Sequence, residues 1–282
     1  MSETRAITAA ETALPPGYRK KPWGACRPNA LQSALIALAR HTFLHHGRAR
    51  HRLTNLITRL GRPLDVEFRN CRYRIEGRNN LMEYGLLLHP TYNAQEIDFL
   101  LQGCRKDGIA VDIGANIGLY SLPLAAAVGS RGRVISIDAN AGVLARLVFN
   151  AESSGLSQIM PVHRAVGDHD GKVDLSICRD DLSIVSVAES ATGAVPMQPL
   201  ADILAAQGVK HVDVLKIDIE GFEDAALAPF LESAPEQMLP RRIVLERGGP
   251  DGGDYPGCAA AFKRRGYKLA GRTRSNSLYR RA

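Results

Sequence analysis

At 282 residues, with 45% hydrophobic and 23% charged residues, the chain has a globular composition and the length to bury a sizeable core, which excludes a disordered or fibrous polymer. No apolar run reaches the ~20 residues that span a bilayer, so the sequence offers no candidate transmembrane helix. The net charge of +7 is uneven: residues 1–62 hold 11 Lys/Arg against 2 Asp/Glu, residues 101–230 hold 10 against 16, and residues 241–282 hold 11 against 3. Basic ends therefore flank an acidic centre, a balance that suits anionic partners or simply solvated basic faces.

Residues 1–13 mix Glu3, Arg5 and Glu11 with small residues and lack an apolar signal core, so they read as a disordered cytoplasmic start. Residues 14–17 and 20–24 read as irregular linker. The five cysteines (26, 71, 104, 178 and 258) are odd in number and never spaced as Cys-x-x-Cys. That argues against a disulfide framework or a cysteine zinc site and fits a reducing cytoplasm. Leu31, Ala34, Leu35, Leu38 and Thr42 recur at helical spacing behind Asn29, a candidate N-cap. Leu53, Leu56, Ile57 and Leu60 mark a second helix, stopped by Gly61-Arg62-Pro63. Between them lie His41, His45, His46 and His51 among Arg48, Arg50 and Arg52; with no carboxylate present, the tract reads as a basic helical face rather than a metal site. The leucine faces are expected to pack on the rest of the protein, with peripheral contact to an anionic membrane as the sharper reading.

Residues 64–68 and 71–75 alternate apolar and polar around Arg69-Asn70 and read as a hairpin; residues 92–101 read as a helix. From residue 109 strands alternate with helices. Strands are expected at 109–113, 134–138, 159–166, 212–219 and 242–246, and helices at 117–128, 141–153, 222–231 and 257–265. This pattern predicts an α/β fold, a mostly parallel sheet with helices on both faces. Residues 172–177 and 194–197 suggest a small β insertion, and 266–269 with 277–279 a closing antiparallel pair.

The stretch Val111-Asp112-Ile113-Gly114-Ala115-Asn116-Ile117-Gly118 joins a strand to a helix. Gly114 and Gly118 permit a sharp turn and a close approach. The third glycine of a dinucleotide loop would fall at Leu119, which weakens an NAD reading. A loop led by an acid suits a ligand with a cationic, phosphate-free end, of which S-adenosyl-L-methionine (SAM) is the common one. Asp138, 24 positions after Gly114, ends the next strand and suits ribose hydroxyls. Residues 212–221 read as a central strand turning acidic at its C-terminal end, the end that faces the ligand crevice. Asp218 and Glu220 point the same way if that strand is regular. They are candidates to bind an amino group, hold a divalent cation or accept a proton. Glu246, ending the next strand, either contacts the acceptor or pairs with Arg247 or Lys216. His163 and His169 read first as structural.

The pair of stretches Val-Asp-Ile-Gly-Ala-Asn-Ile-Gly-x-Tyr-Ser (111–121) and Leu-Lys-Ile-Asp-Ile-Glu-Gly-x-Glu (215–223), with Asn150 and residues 165–168, resembles the FkbM-type SAM-dependent methyltransferases over about residues 80–280. Where that family often has Phe-Glu-Pro, this chain has Ile137-Asp138-Ala139. The resemblance implies a class I methyltransferase (Rossmann-like) fold and O-methylation, often of sugars or natural-product hydroxyls. Carried over by position, Asp112, Gly114, Asn116 and Gly118 would hold the methionine end of SAM, Asp138 its ribose, and Asp168 would lie near the adenine amino group. Residues 1–62 then form a basic, partly helical N-terminal extension, and residues 63–282 a SAM-dependent methyltransferase domain. The expected activity is methyl transfer to a hydroxyl of a small or lipid-linked glycosidic acceptor, with Asp218 and Glu220 catalytic. Basic ends make an RNA methyltransferase the alternative enzyme, although no aromatic-rich nucleic-acid motif is present; a non-catalytic SAM- or nucleotide-binding module is the alternative of another class.

Overall fold

A computed structural model describes residues 21–76, 81–177, 185–190, 192–248 and 252–281. The expected start over residues 1–13, the linker at 14–17 and Cys178 lie outside the described residues.

Asn29 caps helix α1 (Ala30–Arg40) in a reciprocal capping box with Gln32. A 3₁₀ turn (Phe43–His45) leads into α2 (Gly47–Arg59). The expected faces hold in part, with Ile57 buried and Leu35 and Leu53 packed against the core, but both helices are rotated so that other residues share the inward side. Gln32, Ile36 and Ala39 turn inward from α1, and Thr54, Ile57 and Thr58 from α2. Leu31, Leu38, Leu56 and Leu60 stay exposed, from 40% for Leu60 to 57% for Leu31. A buried amide sets this rotation: Gln32 Nε2 donates to the carbonyls of Ile57 (2.8 Å) and Gly61 (2.9 Å). A buried amide left unpaired costs about 1–3 kcal/mol, so α1 turns Gln32 toward α2 rather than a leucine.

Strands β1 (Leu64–Phe68) and β2 (Cys71–Ile75) form the expected hairpin, with Arg69 and Asn70 both left-handed at φ 50° and 61°. That two-residue turn matches the twist of the paired strands. Asp65 and Arg74 form a buried ion pair at 2.7 Å. Asp65 also accepts from the Gly24 and Cys26 N–H groups, and Arg74 donates to the Lys21 and Pro22 carbonyls, so the pair ties residues 21–26 to the hairpin. Helix α3 (Leu81–Leu88) is buried along most of its length, which erases the periodicity by which a helix is read from sequence. Helix α4 (Ala94–Leu101) follows.

The main sheet then builds up through β3 (Ile109–Ile113), α5 (Ser121–Val128), β4 (Arg133–Asp138), α6 (Ala141–Ser153) and β5 (Ile159–His163). The single strand expected at 159–166 is two. After His163 the chain leaves the main sheet, and β6 (Ala165–Gly167) joins β7 (Gly171–Ile177), β8 (Val185–Glu189) and β9 (Val195–Pro199) in the small β insertion, a separate sheet of order β6-β9-β7-β8. Helix α7 (Leu200–Ala206) returns the chain to β10 (Val214–Ile217), α8 (Glu223–Ser233), β11 (Arg242–Glu246), α9 (Pro256–Arg264), β12 (Tyr267–Arg272) and β13 (Asn276–Arg281).

The main sheet runs β12-β13-β11-β10-β3-β4-β5, parallel except for β13, which is antiparallel to both neighbours. Winding runs outward from β3 through β4 to β5, then restarts on the other side at β10. The reversal opens a crevice at the C-terminal ends of β3 and β10, where ligands of such sheets bind. One apolar cluster fills one face and includes Ile36, Ala39 and Ile57 of the N-terminal helices; a second fills the other. Asn150 of α6 joins the layers. Its side chain accepts from the Arg74 N–H (2.8 Å) and donates to the Ile117 carbonyl (3.0 Å), so the hairpin supports the loop that follows β3.

Candidate active site

The loop after β3 has its own N–H groups already engaged. Gly114 and Ala115 donate to the Ile137 carbonyl, Asn116 to Asp138 Oδ2 (2.8 Å), Ile117 to Asn116 Oδ1 and Gly118 to the Ala115 carbonyl. A pyrophosphate cradle needs such N–H groups free to face the ligand. The two glycines answer to packing within the protein. A Cβ on Gly114 (φ +71°) would lie 1.9 Å from the Asp218 carbonyl oxygen, and one on Gly118 (φ +96°) 2.3 Å from Leu122. Asn116 adopts the left-handed conformation at φ 48°, as a turn asparagine does.

Lys216 holds this loop to the neighbouring strand. It points inward from β10 and is 3% exposed. Its Nζ donates to the carbonyls of Gly114 (2.8 Å) and Ile113 (3.3 Å), and lies 3.5 Å from Asp218 Oδ2 and 3.7 Å from Asp112 Oδ1. Burial alone would drive this ammonium toward neutrality. Asp218, Asp112, Glu246 and Asp138 together outweigh burial and hold its pKa above the ordinary value. Asp112 is fully buried and accepts from Ser121 (2.6 Å), which in turn accepts from Ser136 (2.8 Å). Burial keeps the Asp112 carboxyl above the usual carboxylate range, against the pull of Lys216 and Ser121. Its Oδ1 has no hydrogen-bond partner among the described residues.

Asp218 and Glu220 converge, though not by strand alternation. Strand β10 ends at Ile217, and Glu220 is left-handed at φ 54°. Such a backbone costs a non-glycine residue roughly 1–2 kcal/mol. Glu223 holds the turn in place, accepting from the N–H groups of Ile219 (2.8 Å) and Gly221 (2.9 Å). One carboxylate oxygen from each of Asp218, Glu220 and Glu246 then lies within 4.8 Å of the others. Burial, Asp218 and a hydrogen bond to Asp218 push the Glu246 carboxyl far above its ordinary range, so it carries a proton that it donates to Asp218. Sequence reasoning left Glu246 undecided, because its neighbour across the sheet is known only from the β10–β11 pairing.

A cavity of about 450 Å³ opens over these strand ends. Asp218, Glu220, Glu246, Lys216, Gly114 and Asn116 line one region. Ile137, Ala139, Val143, Val166 and Phe222 give an apolar region, with Asp138 at its edge. Asp138 accepts from the Asn116 and Asn140 N–H groups, both at 2.8 Å, while burial raises its pKa to about 6. Arg50 of α2, Tyr92 and Glu96 of α4 also line the cavity. Of the residues singled out from sequence, Asp112 and Gly118 stand behind the lining. Asp168 is outside it, exposed and paired with His169 at 2.7 Å. His163 Nε2 donates to the Ala139 carbonyl at 2.9 Å, a structural role. Lys216 was missed, although a lysine inside the run Val214-Leu215-Lys216-Ile217 is the kind of buried charge that needs a partner.

The profile of the methyltransferase FkbM domain matches residues 112–269, more than half of the chain, from the end of β3 into β12. The chain belongs to the FkbM methyltransferase family. Among solved structures, a SAM-dependent methyltransferase from Agrobacterium tumefaciens aligns with a TM-score of 0.44 at 13% identity, over 78% of this chain and 69% of that one. M. jannaschii TYW2, solved in complex with AdoMet, gives 0.39 at 14% identity over 79% and 89%. Cofactor-bound Rv0187 from MTB gives 0.40 at 15% identity over 66% and 79%. No curated protein matches the chain.

This FkbM methyltransferase is SAM-dependent, and its residues fit that group. Carboxylates and carbonyls rather than free N–H groups surround the Gly114 loop, which suits an ammonium and a sulfonium and repels a pyrophosphate. Asp138 stands beside an apolar surface, as an adenosine requires. By calorimetry the FkbM methyltransferase is expected to bind S-adenosylhomocysteine and not NAD. Asp138→Asn should weaken that binding by about 1–3 kcal/mol. Because the charged form of Asp138 is the stronger acceptor and its pKa is about 6, affinity should fall as pH drops from 7.5 to 5, and the Asn variant should lose that dependence. Equal affinity for NAD, or a pH profile shared by the variant, would contradict the assignment.

Proposed function

We propose that the protein is an O-methyltransferase acting on a hydroxyl of a small or lipid-linked glycosidic acceptor. The observation that carries this reading is the meeting of Asp218, Glu220 and Glu246 at the cavity. When bound, SAM supplies a methyl group already activated by its sulfonium. What the protein must provide is alignment, exclusion of water and a place for the hydroxyl proton. Asp218 is the proton acceptor. Lys216 and the proton of Glu246 hold it in place and balance its charge. Glu220, at the cavity wall, orients the hydroxyl. Tyr92, Asn93, Asn276 and Arg274 surround the acceptor side with an aromatic face and hydrogen-bonding groups, a lining suited to a sugar.

Asp218→Asn preserves shape and removes the acceptor, so turnover on an acceptor found by screening glycolipid and cell-extract fractions with labelled SAM should fall ~10²–10⁴-fold. The melting temperature should move little. A chelator should leave turnover unchanged, because Asp218 already has its countercharges. Loss of turnover on chelation would assign the carboxylates to a divalent cation, and unchanged turnover in Asp218→Asn and Glu220→Gln would remove both from the reaction.

The lipid-linked form of the acceptor draws support from the N-terminal helices. No helix among the described residues is long and apolar enough to cross a membrane. Leu31, Leu38, Phe43, Leu56 and Leu60 are nonetheless exposed, beside the exposed Arg48 and Arg52. Apolar groups rimmed by arginine suit contact with an anionic membrane surface, at about 1 kcal/mol per arginine and less with added salt. Co-sedimentation with vesicles containing phosphatidylserine should be salt-sensitive and should weaken in a Leu38→Ser/Phe43→Ser/Leu56→Ser variant. No sedimentation at low salt would restrict the acceptor to soluble molecules.

A further inference from the structure

The histidine tract of the N-terminal region gains a member that the sequence does not place beside it. His45 ends the 3₁₀ turn, His46 precedes α2, and His89 follows α3, more than forty positions later. Their ring centroids lie 4.0 Å (His45–His46), 4.6 Å (His45–His89) and 5.3 Å (His46–His89) apart. One ring nitrogen from each lies within 4.8 Å of the other two. Among the described residues, no carboxylate forms an ion pair with any of them.

Three imidazoles this close cannot all be protonated without strong repulsion. The orientation of His45 is fixed. Its Nδ1 lies 3.0 Å from the Ala39 carbonyl, which can only accept, so the proton is on Nδ1 and the lone pair on Nε2. A backbone carbonyl holding the far nitrogen is the outer support that metal-bound histidines use. His89 Nδ1 accepts from the Thr91 N–H at 3.3 Å, with the Thr91 hydroxyl at the same distance; ligation through Nε2 exchanges that N–H contact for a bond in which Nδ1 donates to the hydroxyl.

We propose that His45, His46 and His89 form a site for a divalent transition-metal ion, zinc by the chemistry of its donors, with a fourth position open to water. Nitrogen donors alone select zinc, cobalt, nickel or copper and reject magnesium and calcium. The ion would join the start of α2 to the segment between α3 and α4. That segment carries Tyr92, whose ring is 6.3 Å from His89, and both Tyr92 and Arg50 line the cavity. The site therefore fastens the N-terminal layer over the acceptor side of the crevice. Arg50 opposes the ion with its own charge, so the affinity is expected to be micromolar rather than that of a closed structural site.

The test uses the full chain without a histidine tag, stripped of metal and titrated with cobalt(II) as the optical probe, then with zinc. One equivalent of cobalt should give visible ligand-field absorption that zinc displaces. His45→Ala and His89→Ala should each abolish the band while keeping the circular dichroism of the parent. His41→Ala and Asp218→Asn should retain it, the second because the carboxylate cluster is a separate group of oxygen donors. Zinc should raise the melting temperature of the parent and not that of His89→Ala. Absence of a saturable band, or a band that survives His89→Ala, would overturn the proposal; neither result depends on the methyl-transfer reading.

Discussion

The ammonium of Lys216 is the interaction on which the rest of the crevice depends. It is buried beneath the switch point, where β3 and β10 pair in parallel. From there it reaches the carbonyls of Ile113 and Gly114 and two carboxylates, Asp112 on β3 and Asp218 just past the end of β10. Removing a lone charge from water costs several kcal/mol, and here the cost is met by hydrogen bonds and opposite charge together. The loop cannot move away from β10 without Lys216 losing its two carbonyl acceptors. The absence of a Cβ on Gly114 lets the two backbones come that close.

This clamp decides what the crevice can bind. A dinucleotide loop spends its N–H groups on phosphate. Here those groups are spent on Ile137, Asp138, Asn116 and Ala115, and what faces the cavity is carboxylate. The field at the strand ends is therefore negative, even though the chain as a whole is positive. One lysine inside and one proton on Glu246 keep that negative cluster from flying apart. The same arrangement holds Asp218 at the cavity wall, 3.5 Å from Lys216.

Much of this was legible in the sequence because it rests on local rules. The Arg69-Asn70 turn, the Asn29 cap and the alternation of strand and helix from residue 109 are written in short-range pattern. Gly114 and Asn116 after β3, Asp138 at the end of β4 and Asp218 just past β10 line the crevice, where the strand order places these strand ends. What was not legible depends on distant partners. Ile57 is buried and Leu35 and Leu53 pack on the core as expected, but Leu31, Leu38, Leu56 and Leu60 stay exposed, since Gln32 had to find acceptors on the other helix. Glu220 reaches the cluster through a left-handed turn fixed by Glu223, not through strand alternation. Asp168 lies in the exposed turn between β6 and β7, past the residues of β6 that line the cavity. His89 joins His45 and His46 only after the hairpin and α3 have folded back.

The most direct test of the clamp is equilibrium unfolding in urea of Lys216→Met, which keeps the length of the side chain and removes the charge. Leaving the buried Asp112 carboxylate without its cation is expected to cost about 3–5 kcal/mol. The double variant Asp112→Asn/Lys216→Met should recover part of that loss, since the uncompensated charge is then gone. A single variant as stable as the parent, or a double variant no better than the single, would contradict the account.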